Sequence, residues 1–507
     1  MPARTAHGTA IYVTADVRAI EAKVFDYIDT FATLHGRVTV SPFLSSVDAT
    51  APSPTKPIPP PTVVPPLSPG ALGGILTSDL TLRAVDTPHT LSANLLVSTG
   101  VKLTLEPGVI LKANTGKAIR IDGTLVADGA TTNPIRFTSS ATTPAPGDWN
   151  GIIFGGSAVD AVLDANLNYV SGSILRNVTF EFGGGIHVED SFPLIESSTI
   201  RRNTLWSGTS SPGTSSLHGA GALTGLHEAT DASKTFVVRN NRFEDNEDFA
   251  FTDQDGSIYS GGGRGTILFT GNVVTRNGGG VLLAASTSLF ALRVLNNTFE
   301  ANNFVPKPNL GAGVRVGPPL VVLVDEGAGT LIEGNTFRAN QLDASITESS
   351  AGILVFPRRS YPAGCCTPVT IRQNRFIDNV SLNTTSASAI LGYGQPVNDG
   401  NPPSGVPPLI TQNTFEGNRS PHATIMLNSG VTPFKNNNLI GNVAPYDLYL
   451  VNPTRAPIDL DATNNFWNTV SESAVASRVF DFFDTLATPH GKVTFMPVLS
   501  AREPLAP

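Results

Sequence analysis

The chain has 507 residues, enough to bury a large core. Only 15% of them are charged, and 48 Gly with 39 Pro make the composition that of a turn-rich β protein. A formal charge of −8 argues against nucleic acid or an anionic membrane as partner, and no apolar run reaches the length of a membrane span.

Residues 1–13 lack a basic region followed by an apolar stretch, so no secretory signal is read there. Residues 20–45 recur at 475–500 at a constant offset of 455, with about half of the aligned positions identical. Each copy predicts a helix with an apolar stripe, Ile20, Val24, Ile28 and Phe31 in the first and Val475, Val479, Phe483 and Leu486 in the second. A turn at His35 or His490 and a short strand follow. Asp26 with Asp29, and Asp481 with Asp484, read as the solvated face of that helix. Residues 1–48 therefore read as the cap-like tail of a preceding repeat unit, with any signal peptide upstream, and 471–507 as the C-terminal cap. Residues 49–70 are Pro-rich and read as an extended linker.

From 71 to 470 the chain reads as a solenoid. Its unit is apolar, two free positions, Asn, one free, apolar, two free, Asn, found eight times between 195 and 442. Clear copies are Val238-Asn241-Phe243-Asn246, Val294-Asn297-Phe299-Asn302 and Ile332-Asn335-Phe337-Asn340, followed by Ile371-Asn374-Phe376-Asn379 and Ile410-Asn413-Phe415-Asn418. Weaker ones hold Asn272 and Asn437, and the first has Ser198 in the inner Asn place. The spacing is too short for helices and fits two short strands joined by a bend. Asn tolerates a left-handed backbone, so it is expected at the bend itself. Asn241, Asn272, Asn297, Asn335, Asn374, Asn413 and Asn437 should form one structural row. Phe243, Phe299, Phe337, Phe376 and Phe415 should stack in one internal column.

Four groups carry candidate chemistry. Glu181, His187, Glu189 and Asp190 lie in the Gly-rich stretch 180–191, where strand alternation turns His187 and Glu189 outward and Ile186 and Val188 inward. Residues 243–257 are the densest acid cluster; Asp245, Asp248, Asp253 and Asp255 are candidate calcium ligands. Glu181, Asp253 and Asp255 are the candidate catalytic carboxylates. Cys365 and Cys366 are adjacent, either a vicinal disulfide or two free thiols. The long departures from the repeat, such as 204–235 with His218 and His227, read as surface loops without metal-ligand spacing.

The repeats resemble those of the right-handed parallel β-helix superfamily of bacterial secreted and cell-surface proteins, which includes pectate lyases and polygalacturonases. The opening stretches 103–113, 119–129, 133–140 and 147–154 are similar to first coils of that group. The closing NNFWNT (464–469) resembles its last-rung motif, with Asn468 where Gly is usual. The resemblance implies an all-β fold, a single-stranded right-handed parallel β-helix, to which the duplicated segment adds a small helix-plus-strand cap at each end. It also implies an extracellular or cell-surface location. No lyase or polygalacturonase signature matches residue by residue. The leading expectation is thus a non-catalytic module for surface structure, adhesion or carbohydrate binding. The alternatives are a polysaccharide lyase or glycosidase, with calcium as possible cofactor, and a structural unit assembling end to end with its neighbours.

Overall fold

Short apolar-polar alternation interrupted every few residues by a turn former makes strands and forbids helices. Around Phe337, Leu331–Glu333 and Thr336–Arg338 flank Asn335, and each strand buries its central side chain while the outer two stay half-buried or exposed. The computed structural model describes residues 71–507 except 205–220, 228–232, 248, 256–264, 286–289, 305–318, 325–328, 348, 358–368, 393–407, 429–432, 452–458 and 487–490. Residues 1–70, the paired cysteines, His218 and His490 therefore lie outside the described residues.

Successive strands coil into a parallel β-helix with three walls. The first wall is a 12-stranded parallel sheet from Leu80–Leu82 to Phe434–Lys435. The second holds the short strands that carry the Phe positions, such as Thr298–Glu300 and Arg375–Ile377. The third holds longer strands, from Ala118–Ile121 through Ile186–Glu189 and Gly279–Ala285 to Tyr446–Val451. His89–Val97 bends across the second and third walls, pairing with Ile110–Ala113 and Ala118–Ile121. Because each strand pairs with its equivalent one coil on, side chains of like position stack in columns along the axis.

The Phe column shows this most clearly. Phe299, Phe337, Phe376 and Phe415 are fully buried and in one register. Their centroids are 4.7, 4.9 and 4.9 Å apart, with ring planes within 10°. Phe243 shares the column but not the stack, because Val274 occupies the coil between it and Phe299. Phe269 of the first wall fills the gap, 6.0 Å from Phe243 and 6.4 Å from Phe299.

Two Asn ladders run beside this column. The first passes through Asn241, Asn272, Asn297, Asn335, Asn374, Asn413 and Asn437 to Asn465. The amide oxygen of each Asn accepts from the backbone N–H and the Nδ2 of the previous one, at 2.8–3.1 Å. Each Nδ2 also donates to a backbone carbonyl of the first wall, as Asn335 does to Val294. The second ladder, from Asn203 and Asn246 to Asn442, repeats the scheme at the next bend. The left-handed backbone, however, is not at the ladder Asn. It falls one residue earlier, on Asn240, Gly271, Asn296, Gly334, Gln373, Gln412 and Asn436 before the first ladder. The reason is division of labour: the turn residue faces solvent and needs only backbone tolerance, whereas the next residue points inward and needs an amide. Asn468, in place of the usual Gly, has φ +60° and so holds the left-handed turn that Gly would hold.

The C-terminal segment departs from its expected form. The α-helix is only Glu472–Ala476, capped by Ser471. The stripe Val475, Val479, Phe483 and Leu486 does not share one helix. Val475 and Val479 are buried, but Phe483 is 71% and Leu486 73% exposed. The chain instead keeps coiling: Val479–Phe480 adds to the third wall on Leu448 and Tyr449, and Val493–Thr494 pairs with Leu460–Asp461. β-branched and aromatic residues won over helical periodicity because an open sheet edge was available to them. Nor is Asp481 on a solvated face. It is buried, and its carboxylate accepts from the N–H groups of Phe483 and Val493, while Asp484 accepts from the Asp481 N–H.

Candidate functional site

The Gly-rich stretch forms a polar cluster on a rigid floor. Trp149 is fully buried, packs on Phe180 at 4.9 Å and donates its indole N–H to the Glu181 carbonyl. Glu181 is fully buried and accepts from Arg136 Nε at 2.6 Å, Thr138 at 2.9 Å and Arg201 Nε at 2.9 Å. Burial pushes its carboxyl up, but the hydrogen bonds from Arg136, Thr138 and Arg201 outweigh it and hold the group below the usual carboxylate range. Such a group is a fixed anion inside an ion-pair ladder, unsuited to giving and taking protons at neutral pH.

Ile186 and Val188 are buried, and His187 and Glu189 lie half-buried on the outer face of the third wall. Glu189 meets Arg120 at 3.2 Å, and Arg120 also holds Asp122 at 2.9 Å. Desolvation lowers the His187 pKa to about 4, against a weaker opposing bond with the Gly184 backbone. His187 is thus neutral over the physiological range.

The acid cluster is divided. Asp245 sits at a left-handed turn and pairs with Arg276 at 2.7 Å, which lowers its pKa. Glu244 is engaged by Arg242 and Arg276. Asp253 and Asp255 belong to the third-wall strand Phe249–Asp255, opposite Gly225 and His227, and their side chains, like Asp248, lie outside the described residues. Among the described residues no three His, Cys, Asp or Glu side chains gather as a metal site.

A second group, missed in the sequence, closes the third wall. Its outward column runs Leu354, Leu391, Met426, Tyr449, Phe480 in continuous register. Leu354, Leu391 and Met426 are buried on this outer face, whereas Tyr446, Tyr449 and Phe480 are half-buried. Tyr449 and Phe480 stack at 4.3 Å with planes 6° apart. Tyr446 stands edge-on to both, and His422 lies 4.4 Å from Tyr449. Burial, then the nearby Tyr446 and Asp484, raise the Tyr449 pKa, so its hydroxyl stays protonated. The signal available in the sequence was the spacing of Tyr446 and Tyr449 in PYDLYLV, but only the register of Phe480 brings the third ring.

Behind this platform Asp447 is buried and ion-paired with Arg478, with Thr424 donating at 3.4 Å. Desolvation raises its pKa to about 6, with Arg478 opposing. Its pKa is thus higher folded than unfolded, so between about 6 and 3.8 the folded state binds the extra proton. Stability from this group therefore rises as pH falls through that window. Relative to Asp447→Asn, the wild-type chain should gain stability from pH 6 toward pH 4 in urea unfolding series; parallel pH profiles would refute it.

A family model described as "Pectate-lyase like beta helix domain" matches residues 74–192, and one described as "Right handed beta helix region" matches 149–317. Among solved structures, the chain is similar to a double mutant of the periplasmic alginate epimerase AlgG, at 12% identity over 85% of this chain and 79% of that one, with a TM-score of 0.31. It is also similar to an alginate lyase from Paenibacillus sp., at 12% identity over 84% of this chain and 100% of that one, with a TM-score of 0.24. No curated protein matches. Among the described residues no helix is long and apolar enough to cross a membrane.

Proposed function

Since the chain is a right-handed parallel β-helix protein with pectate-lyase-like coils, we propose that it is an extracellular or cell-surface module that binds carbohydrate without turning it over. The observation that carries the reading is the aromatic platform of Tyr446, Tyr449 and Phe480, half-buried at the end of the third wall beside His422. Sugar rings present C–H groups that pack on half-exposed aromatic surface, while hydroxyls need polar neighbours at the rim. Here the Tyr446 and Tyr449 hydroxyls, His422 and the exposed Asp484 supply that rim. Glu181 supports the non-catalytic half of the reading, because Arg136 and Arg201 already hold its carboxylate.

The test is affinity electrophoresis and calorimetry against a panel of uronate and neutral polysaccharides. Tyr449→Ala should weaken binding of the retained polymer at least about tenfold, the loss of roughly one buried aromatic contact. Glu181→Gln should leave it unchanged. A panel that the wild-type chain ignores, or Tyr449→Ala binding as wild type does, would sink the proposal.

A further inference from the structure

The duplicated segment gains meaning from what its C-terminal copy does. Residues 475–500 dock on the last coil through one edge. Lys492 and Thr494 carbonyls accept from the Leu460 and Ala462 N–H groups, and the Arg478 carbonyl from the Asp447 N–H. The Pro497 carbonyl accepts from Asn464 N–H, and Leu499 N–H donates to the Asn465 carbonyl. On the opposite edge two N–H groups are already taken. In a parallel ladder alternate residues face alternate neighbours, and the N–H of Val493, between the two docking carbonyls, donates to Asp481 Oδ2 at 2.7 Å. Asp484 ties the Asp481 N–H in turn. The segment is a one-sided terminator: it fits the trailing edge of a coil and offers fewer N–H groups for another strand to add to.

Residues 20–45 keep both halves of this device. Val24, Phe25, Val38, Thr39, Pro42 and Leu44 stand where Val479, Phe480, Val493, Thr494, Pro497 and Leu499 dock. Asp26 and Asp29 stand where Asp481 and Asp484 take those N–H groups, and Lys23 keeps the cation of Arg478. The preceding rung is not kept. Position 10 is Ala where Asn465 ends the first ladder. The residues kept are those that fit a trailing edge, not the leading edge of the solenoid at Ala71–Leu76. That trailing edge is the one formed by Tyr446–Val451 and Leu460–Asp461.

We propose that residues 20–45 are an exchangeable terminator, and that the trailing edge Tyr446–Val451/Leu460–Asp461 accepts this segment from a second copy of the chain in place of its own 475–500. Exchange joins copies head to tail through the linker 49–70. Whichever copy's terminator sits on the edge, the same backbone bonds form.

The experiment uses the full-length chain and light scattering after size exclusion over a range of concentrations. Asp481→Ala weakens the resident terminator by leaving the Val493 and Phe483 N–H groups without their acceptor. It should produce concentration-dependent oligomers where wild type is mainly monomeric. Asp26→Ala added to Asp481→Ala should abolish them, and hydrogen exchange should show residues 20–45 protected only in the oligomer. Circular dichroism of both variants checks that the β-helix persists. If it is lost in either, the exchange of differently labelled wild-type chains on mixing replaces the comparison, and no exchange overturns the proposal. Oligomers that survive Asp26→Ala would show bare edge association instead. Protection of 20–45 in a monomer would show docking within one chain, and a monomeric Asp481→Ala would show no exchange at all. Each overturns it.

Discussion

Asn335→Ala is expected to lower the unfolding free energy by about 2–6 kcal/mol, since it orphans two buried backbone groups at about 1–3 kcal/mol each. In the wild-type ladder Asn335 Oδ1 accepts from the Asn297 N–H at 2.8 Å and from Asn297 Nδ2 at 2.9 Å, while its Nδ2 donates to the Val294 carbonyl at 2.8 Å. Ala removes the acceptor and the donor together. The site is fully buried, so water does not replace them. Asn335→Asp separates hydrogen bonding from volume. The ionised carboxylate still accepts but cannot donate, and it is an unpaired buried charge. Its folded pKa should therefore rise above the ordinary Asp value, so acidification toward that value should restore part of the stability. Urea unfolding of the three proteins as a function of pH checks this. Equal stabilities, or an Asp variant that worsens steadily as pH falls, would show the ladder contributes little.

Phe337→Ala is expected to cost about 3–5 kcal/mol, the range for emptying a large buried aromatic site. Phe337 is fully buried and stacks on Phe299 and Phe376 at 4.7 and 4.9 Å, so two ring contacts of about 0.5–1.5 kcal/mol each are included. Relaxation is hindered because neighbouring coils are fixed by backbone pairing on both sides. Phe337→Leu should lose less than half as much. Phe243→Ala breaks no close parallel stack, since its neighbours are Val274 in the column and Phe269 at 6.0 Å. It should therefore fall below Phe337→Ala. Denaturant midpoints for the three variants decide the order.

The repeat was readable because one constraint recurs in every coil. A fixed distance from Phe337 to Asn335 and Asn340 specifies strand, bend and inward direction together. The residue that takes the left-handed turn was not readable. At Asn240-Asn241 or Asn296-Asn297 both residues suit it, and only the direction of the side chain distinguishes them. The terminal segment misled for a related reason. Val475, Val479 and Phe483 are four apart as in a helix, yet Val479 and Phe480 were drawn onto the free edge of Leu448 and Tyr449. A contact 31 residues away in sequence overrode local periodicity. At the candidate site, alternation placed His187 and Glu189 outward, matching their half-buried state. It could not show that Arg136 and Arg201, 45 and 20 residues from Glu181, would converge on that carboxylate. Nor could it assemble Tyr446, Tyr449 and Phe480, whose meeting depends on the register of the final coil.

Whether the module binds carbohydrate or transforms it is decided most directly by following a retained polysaccharide over time with purified protein, with and without calcium. The expected result is a polymer that stays bound and unchanged in length, without new reducing ends or unsaturated uronates above a protein-free control. Steady turnover that disappears in Glu181→Gln, or when calcium is chelated, would contradict it and make the chain an enzyme.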